Sequence, residues 1–206
     1  MKIQWIRHAS VIIKTKQKTI YIDPYLDPLF HTNLPKADII LISTSLPNHF
    51  TNESIEMIKS RNTRIYAVSS ASERLGGAIV KAGDTIEEQG LKFHCSKTYN
   101  ENAPEAVGFI LQLQDKRIYY VGSTFYNPEL RHTCNILIIP IGGSTSMNID
   151  QAAQLTEQIR PKYVLPIQYG LSEGMSEEGD LFKSRIEDKK ITIPIVLEEM
   201  NEFKVE

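Results

Sequence analysis

Lys18-Thr19-Ile20-Tyr21 and Lys116-Arg117-Ile118-Tyr119 decide how this chain is read, because the likeness between them continues downstream of both. The apolar run Ile39–Ile42 is answered by Ile136–Ile139, and Arg64-Ile65-Tyr66-Ala67-Val68 by Lys162-Tyr163-Val164-Leu165-Pro166. Between them a helical pattern over Asn52–Ser60 is answered by one over Ile149–Arg160, and the offset stays near 97–98 residues throughout. Continuous runs of isoleucine and leucine read as strands buried on both faces. The helices are apolar at Ile55 and Ile58, and at Ala152, Leu155 and Ile159, the spacing of one buried helical face. Each half therefore reads strand, loop, buried strand, polar loop, helix, strand. Two β-rich halves, each with a helix on its outer face, predict an α/β (α+β) chain folded as a four-layer αββα sandwich. The polar loops after Ile42 and Pro140 are pseudo-equivalent and mark the expected cleft.

Composition bounds the rest. At 206 residues the chain suits one domain, 1–206; it is 41% hydrophobic and 23% charged, with a net charge of −2. That balance gives no electrostatic reason to expect nucleic acid or an anionic membrane as partner. No apolar run reaches the length of a membrane span, and the first residues read as a strand rather than a leader, so a cytoplasmic protein is expected. Cys95 and Cys134 lack metal-motif spacing and read as buried free thiols. Gly170–Gly179 reads as a polar loop, and the stretch Glu173–Asp180 as solvated or folded over the cleft as a flap. His31, His94 and His132 are isolated in sequence.

The loops carry short motifs: Trp5-Ile6-Arg7-His8-Ala9-Ser10, Ile22-Asp23-Pro24-Tyr25, Tyr99-Asn100 and Ile118-Tyr119-Tyr120-Val121-Gly122-Ser123-Thr124. Pro128-Glu129-Leu130, Pro140-Ile141-Gly142-Gly143 and Pro161-Lys162-Tyr163-Val164-Leu165-Pro166-Ile167-Gln168-Tyr169-Gly170 follow. In this order the chain resembles the metallo-β-lactamase superfamily, in particular the small metal-dependent hydrolases related to lactonases and N-acyl-phosphatidylethanolamine phospholipase. The resemblance implies a metallo-β-lactamase-type sandwich built from two similar halves, a zinc cofactor and hydrolysis by a metal-activated water.

The departures from that pattern are as informative. Where the family has H-x-H-x-D-H, this chain has Thr44, Leu46, Asn48 and His49. The family's bridging aspartate is Ser123, and the histidine of its M-H-Y-G motif is Gln168. Where the family has glycine in W-L-G-H-A-S, Arg7 stands. Zinc takes three or four ligands from imidazole, thiolate and carboxylate; alcohols and amides bind it poorly, and leucine not at all. The reading that follows is a degenerate site without a metal: a non-catalytic member that binds a small molecule or a protein in the former metal cleft, with an oligomer left open. The ligand-binding candidates are Thr44, Leu46, Asn48, His49, Ser123, Gln168, Asp23 and Gly143. The alternative is an active hydrolase with a relocated, single-metal or metal-independent site using His49, His8 and Ser123.

Plainer readings stand beside each of these. His49 reads as a relic bonded to Asn48 or Gln168, and His8 as a buried histidine donating to a carbonyl or to Asp23. Asp23 itself reads as a turn-forming residue behind the site. Ser123 with His49 would need an acidic orienter, and none is evident in the sequence. Gly142-Gly143 reads either as a tight turn or as an anion cradle before a helix.

Overall fold

The computed structural model describes residues 1–29, 31–170 and 177–206. They form two compact units, Met1–Val80 with Leu197–Glu206, and Lys81–Val196. The first unit contains strands β1 (Lys2–Arg7), β2 (Ser10–Lys14), β3 (Thr19–Ile22) and β4 (Ile39–Ile42), helix α1 (Asn52–Ile58), strand β5 (Arg64–Ala67), helix α2 (Ser69–Leu75) and strand β6 (Ala78–Ile79). The second contains β7 (Thr85–Glu88), β8 (Leu91–Lys97), β9 (Val107–Leu113), β10 (Lys116–Tyr120), β11 (Ile136–Pro140), α3 (Ile149–Ile159), β12 (Tyr163–Ile167), α4 (Glu178–Glu187) and β13 (Ile193–Pro194). Strand β14 (Glu202–Lys204) returns to the first unit.

Each unit has one seven-stranded sheet, ordered β14-β1-β2-β3-β4-β5-β6 in the first and β13-β12-β11-β10-β9-β8-β7 in the second. In the first, β14, β1, β2 and β3 pair antiparallel and β3 through β6 pair parallel. In the second, β7 through β10 pair antiparallel and β10 through β13 parallel. Read from β14 and from β7, the two pairing patterns coincide. Their registers agree too: Ile20 lies opposite Ile39 in one and Ile118 opposite Ile136 in the other. The two similar halves expected from the sequence are found as two sheets of one topology in a mixed α/β fold.

The central strands are apolar because both their faces are covered. All of Ile39–Ile42 and all of Ile136–Pro140 are buried. Pro166 fits inside β12 because β13 pairs only with Tyr163 and Val164, so no partner asks for the missing N–H. The Thr51 hydroxyl caps α1 by accepting from Ser54 N–H at 3.0 Å. The helix stops at Ile58, short of the expected Ser60, because Lys59 turns extended at ψ 152°. Asn148 and Gln151 form a capping box on α3, and Arg160 ends it in the left-handed region ahead of Pro161.

Strands β6 and β14 escape sequence reading because they are two and three residues long, too short for an alternation to show. Strand β13 is likewise only the two residues Ile193–Pro194. Residues 171–176 of the expected loop or flap lie outside the described residues. Cys95 and Cys134 are free; Cys95 is buried and Cys134 half-buried. No helix among the described residues is long and apolar enough to cross a membrane.

Candidate functional site

In the first unit, three chain segments converge where strands end. The two-residue turn His8-Ala9 joins β1 to β2, with His8 in the left-handed region at φ 48°. Trp5 Nε1 ties the turn down by donating to His8 O at 2.9 Å. Asp23 follows β3, also left-handed at φ 48° and fully buried. His49 comes from the polar loop after β4, and the Nδ1 of its buried ring is 2.9 Å from Asp23 Oδ2.

A carboxylate only accepts, so His49 Nδ1 carries a proton and faces Asp23, with Nε2 at the other edge of the ring. That Nε2 is buried and has no hydrogen-bond partner. Asp23 is itself held: Ser43 N–H donates to Oδ1 at 2.7 Å, and the Ser43 hydroxyl donates to Oδ2. Ser10 Oγ donates to Asp23 O at 2.6 Å and accepts from Tyr25 N–H at 2.7 Å, which fixes the turn after β3. The carboxylate is locked by the backbone of the next strand, and the imidazole is locked by the carboxylate.

Beside it, Asn48 Nδ2 lies 3.1 Å from His8 Nε2. The His8 and His49 rings meet edge to face, with centroids 5.6 Å apart. Burial pushes the His8 imidazole down to about 4, helped by His49 and Arg7 and opposed by Asp23. His8 is therefore neutral near pH 7, and its Nδ1 is a second buried ring nitrogen with no partner.

The structure thus brings His8, Asp23, Asn48 and His49 into one cluster. It revises their expected partners: His49 bonds to Asp23 rather than Asn48 or Gln168, and His8 bonds to Asn48 rather than to a carbonyl or Asp23. The acidic orienter that no motif revealed is Asp23. Thr44 is fully buried, its Oγ1 accepting weakly from Leu46 N–H at 3.4 Å; Leu46 is half-exposed. Ser43 had no part in the expected site. Its signal was indirect, since an acid ending a buried strand must find donors within reach.

The second unit holds Ser123, Gln168 and Gly143. Ser123 is buried, and Asn100 Nδ2 donates to the carbonyls of Ser123 and Thr145 at 3.2 and 3.1 Å. Gln168 is buried and left-handed at φ 60°, with Nε2 unpartnered. A Cβ on Gly142 would stand 2.2 Å from Gln168 O, so only glycine fits there. Gly143 N–H donates to Met147 O at 3.1 Å and Ser144 N–H to Gly142 O at 3.0 Å. These two amides are spent within the loop, which forms a turn at Gly142-Gly143.

Residues 2–168 match the profile of the beta-lactamase superfamily domain. The chain belongs to this superfamily. Within it, a UPF0173 protein of Pyrococcus abyssi is 29% identical over 203 residues, covering 94% of both chains. A UPF0173 metal-dependent hydrolase of Nanoarchaeum equitans is 26% identical over 212 residues, covering 93% of this chain and 94% of its own. A solved structure from Parabacteroides distasonis, described as a metal-dependent hydrolase, superposes with a TM-score of 0.83 at 27% identity, covering 94% of this chain and 91% of that one. A metallo hydrolase of Ignicoccus hospitalis shares the fold, with a TM-score of 0.84 at 21% identity over 100% and 99% of the two chains.

These relatives overturn the expectation of a non-catalytic protein without a metal. Chains similar to this one along nearly their whole length are named metal-dependent hydrolases. The reading from missing ligands went wrong by weighing side-chain types position by position against one motif. What the remaining imidazoles can hold decides the chemistry left to the site.

The donor set answers that in part. Among the described residues, no group of three or more His, Cys, Asp or Glu side chains is placed to share an ion, so the residues do not fit a pair of ions. They do fit one. An imidazole whose Nδ1 is held by a carboxylate and whose Nε2 is open is the usual form of a metal-bound histidine. His49 has that form, and His8 adds a neutral ring with an open nitrogen.

Proposed function

We propose that this chain is a metal-dependent hydrolase that works at the His8, Asn48, His49 and Asp23 cluster with a single divalent transition ion. The observation that carries the reading is the buried, unpartnered Nε2 of His49, whose opposite nitrogen is bonded to Asp23. A buried polar atom left without a partner is costly unless something occupies it.

His49 Nε2 and His8 Nδ1 would hold the ion, with water and substrate taking the remaining positions, as an open site requires. A divalent ion held there would supply a water of lowered pKa and polarisation of the carbonyl or phosphoryl group to be cleaved. Asp23 keeps the His49 proton on Nδ1 and so keeps the lone pair on Nε2. Ser43 prevents the carboxylate from swinging away. The low pKa of His8 keeps its ring neutral near pH 7, the form a ligand must have. When His8 Nδ1 gives up its proton, the ring proton sits on Nε2, and the Asn48 amide turns to offer it an oxygen.

The test is elemental analysis for zinc, manganese and iron, together with hydrolysis assays on lactone, thioester and phosphodiester substrates. About one ion per chain is expected, with turnover lost to a chelator and restored by the metal. His49→Ala should lower both metal retention and turnover by roughly a hundredfold. The reading fails if the purified protein takes up no ion, or if His49→Ala turns over substrate as the natural chain does.

A further inference from the structure

A cavity of about 280 Å³ opens in the first unit. Its walls follow the site along the chain: Arg7 precedes His8, Tyr25 comes two residues after Asp23, and Thr51 two after His49. Its walls are thus chain neighbours of the site residues, while His8, Asp23, Asn48 and His49 are not among them. Its volume lies at the lower end of small-molecule sites, which run from about 300 to 1,000 Å³. It suits a molecule of amino-acid size.

The charges on its walls narrow the ligand. Arg7 is the one cation, on a half-exposed side chain, and Asp27 and Glu53 are the acids. Arg7 Nε lies 3.7 Å from Glu199, a loose and solvated pair that contributes little, and no nearer ion pair to its guanidinium occurs among the described residues. Asp27 Oδ1 accepts from Leu29 N–H at 2.8 Å, which leaves Oδ2 open. Leu26, Pro28 and the Tyr25 ring supply apolar surface. A guanidinium takes a carboxylate in its fork. Two acids oppose a dianion such as a phosphate monoester and favour a cation. One carboxylate, one ammonium and a short apolar chain satisfy all three features together.

We propose that this cavity binds a zwitterionic α-amino acid or a substrate built on one, its carboxylate held by Arg7, its ammonium by Asp27 and Glu53, and its side chain by Tyr25, Leu26 and Pro28. The proposal rests on the reading of the His8, Asn48, His49 and Asp23 cluster as a hydrolytic site. Binding tests it separately from turnover.

The experiment is calorimetric titration of the full chain with leucine, with isoamylamine, which lacks the carboxylate, and with 4-methylpentanoate, which lacks the amine. Leucine should saturate one site, and each analogue should bind at least about tenfold more weakly, the effect of losing a charge-assisted bond. Arg7→Gln should lower leucine to the level of isoamylamine and leave isoamylamine unchanged. Glu53→Gln should weaken leucine and isoamylamine and leave 4-methylpentanoate unaffected. Both side chains reach solvent, so both variants keep the fold. The inference is overturned if leucine does not bind, if the analogues bind equally well, or if Arg7→Gln binds leucine as before. Leucine bound in the expected pattern by a protein that hydrolyses nothing would remove the hydrolase reading and leave this site standing.

Discussion

The loop after β4 and the loop after β11 occupy the same place in two sheets of the same topology, yet they do different things. The first sends His49 back to a buried carboxylate and leaves Nε2 open. The second turns its amides inward, Gly143 N–H to Met147 O and Ser144 N–H to Gly142 O, and closes α3 with a capping box. Matching topology places a loop at the end of a parallel strand. What the loop can do depends on which of its polar groups are left without an internal partner. Among the described residues, the first unit by that measure keeps two open imidazole nitrogens, and the second keeps Gln168 Nε2 and the Thr192 hydroxyl.

The largest effect that would test this contrast comes from Asp23→Ala. It strands the Ser43 N–H, the Ser43 hydroxyl and His49 Nδ1 in a buried place. Breaking a buried pair in this way costs about 3–5 kcal/mol, readable as a shift in the denaturation midpoint. An unchanged midpoint would mean that the carboxylate is not the anchor of the first loop.

Next is acid sensitivity in the metal-stripped protein. The folded His8 pKa, about 4, lies below its ordinary value of 6.5. Its neutral form is the one the fold accepts, so its contribution is intact above pH 6.5. It is lost as pH falls from there through 4, where the unfolded chain binds a proton the folded one refuses. The loss is on the order of 3 kcal/mol. His8→Asn, which tolerates the left-handed backbone, should flatten the stability profile over that window. A slope that survives the substitution would assign it to another group.

In the second unit, Gly142→Ala should destabilise by roughly 2 kcal/mol, because the new Cβ meets Gln168 O. A melting temperature equal to that of the natural chain would show that this loop yields where the structure has it closed. The smallest effect concerns the thiols. Burial pushes Cys95 and Cys134 up to about 12, so almost no thiolate exists at pH 8. Alkylation by iodoacetamide there should be slow in the folded protein and fast in denaturant. Rapid labelling of either cysteine without denaturant would contradict that.

Much of the fold was legible because it is written in burial. Ile39–Ile42 and Ile136–Pro140 are apolar at every position because both faces of those strands are covered, and the helix caps at Thr51 and Asn148 have side chains that match their geometry. Strands β6 and β14 were not legible, since such short pieces are held by the neighbours they pair with rather than by their own pattern. At the site, His49, Asp23, Asn48 and His8 were all candidates in the sequence, but their pairing was not. A motif reports which residues flank a loop and says nothing of which ring nitrogen faces which carboxylate. The cavity walls at Arg7, Tyr25 and Glu53 gave no sign of binding a ligand, because ordinary polar residues acquire such a role only when three separate segments bring them to one place.

Patterning alone determined that this chain has two β-rich halves of equal design, and its motifs placed it in the superfamily. Periodicity and burial are properties of contiguous segments, and contiguous segments can be read one by one. Tertiary structure decided that two histidines 41 residues apart in sequence keep open nitrogens in one buried cluster and that a single carboxylate holds one of them. Such facts depend on contacts between distant segments, and on the cost of leaving a buried polar atom without a partner, which can be judged only once all the neighbours are in place.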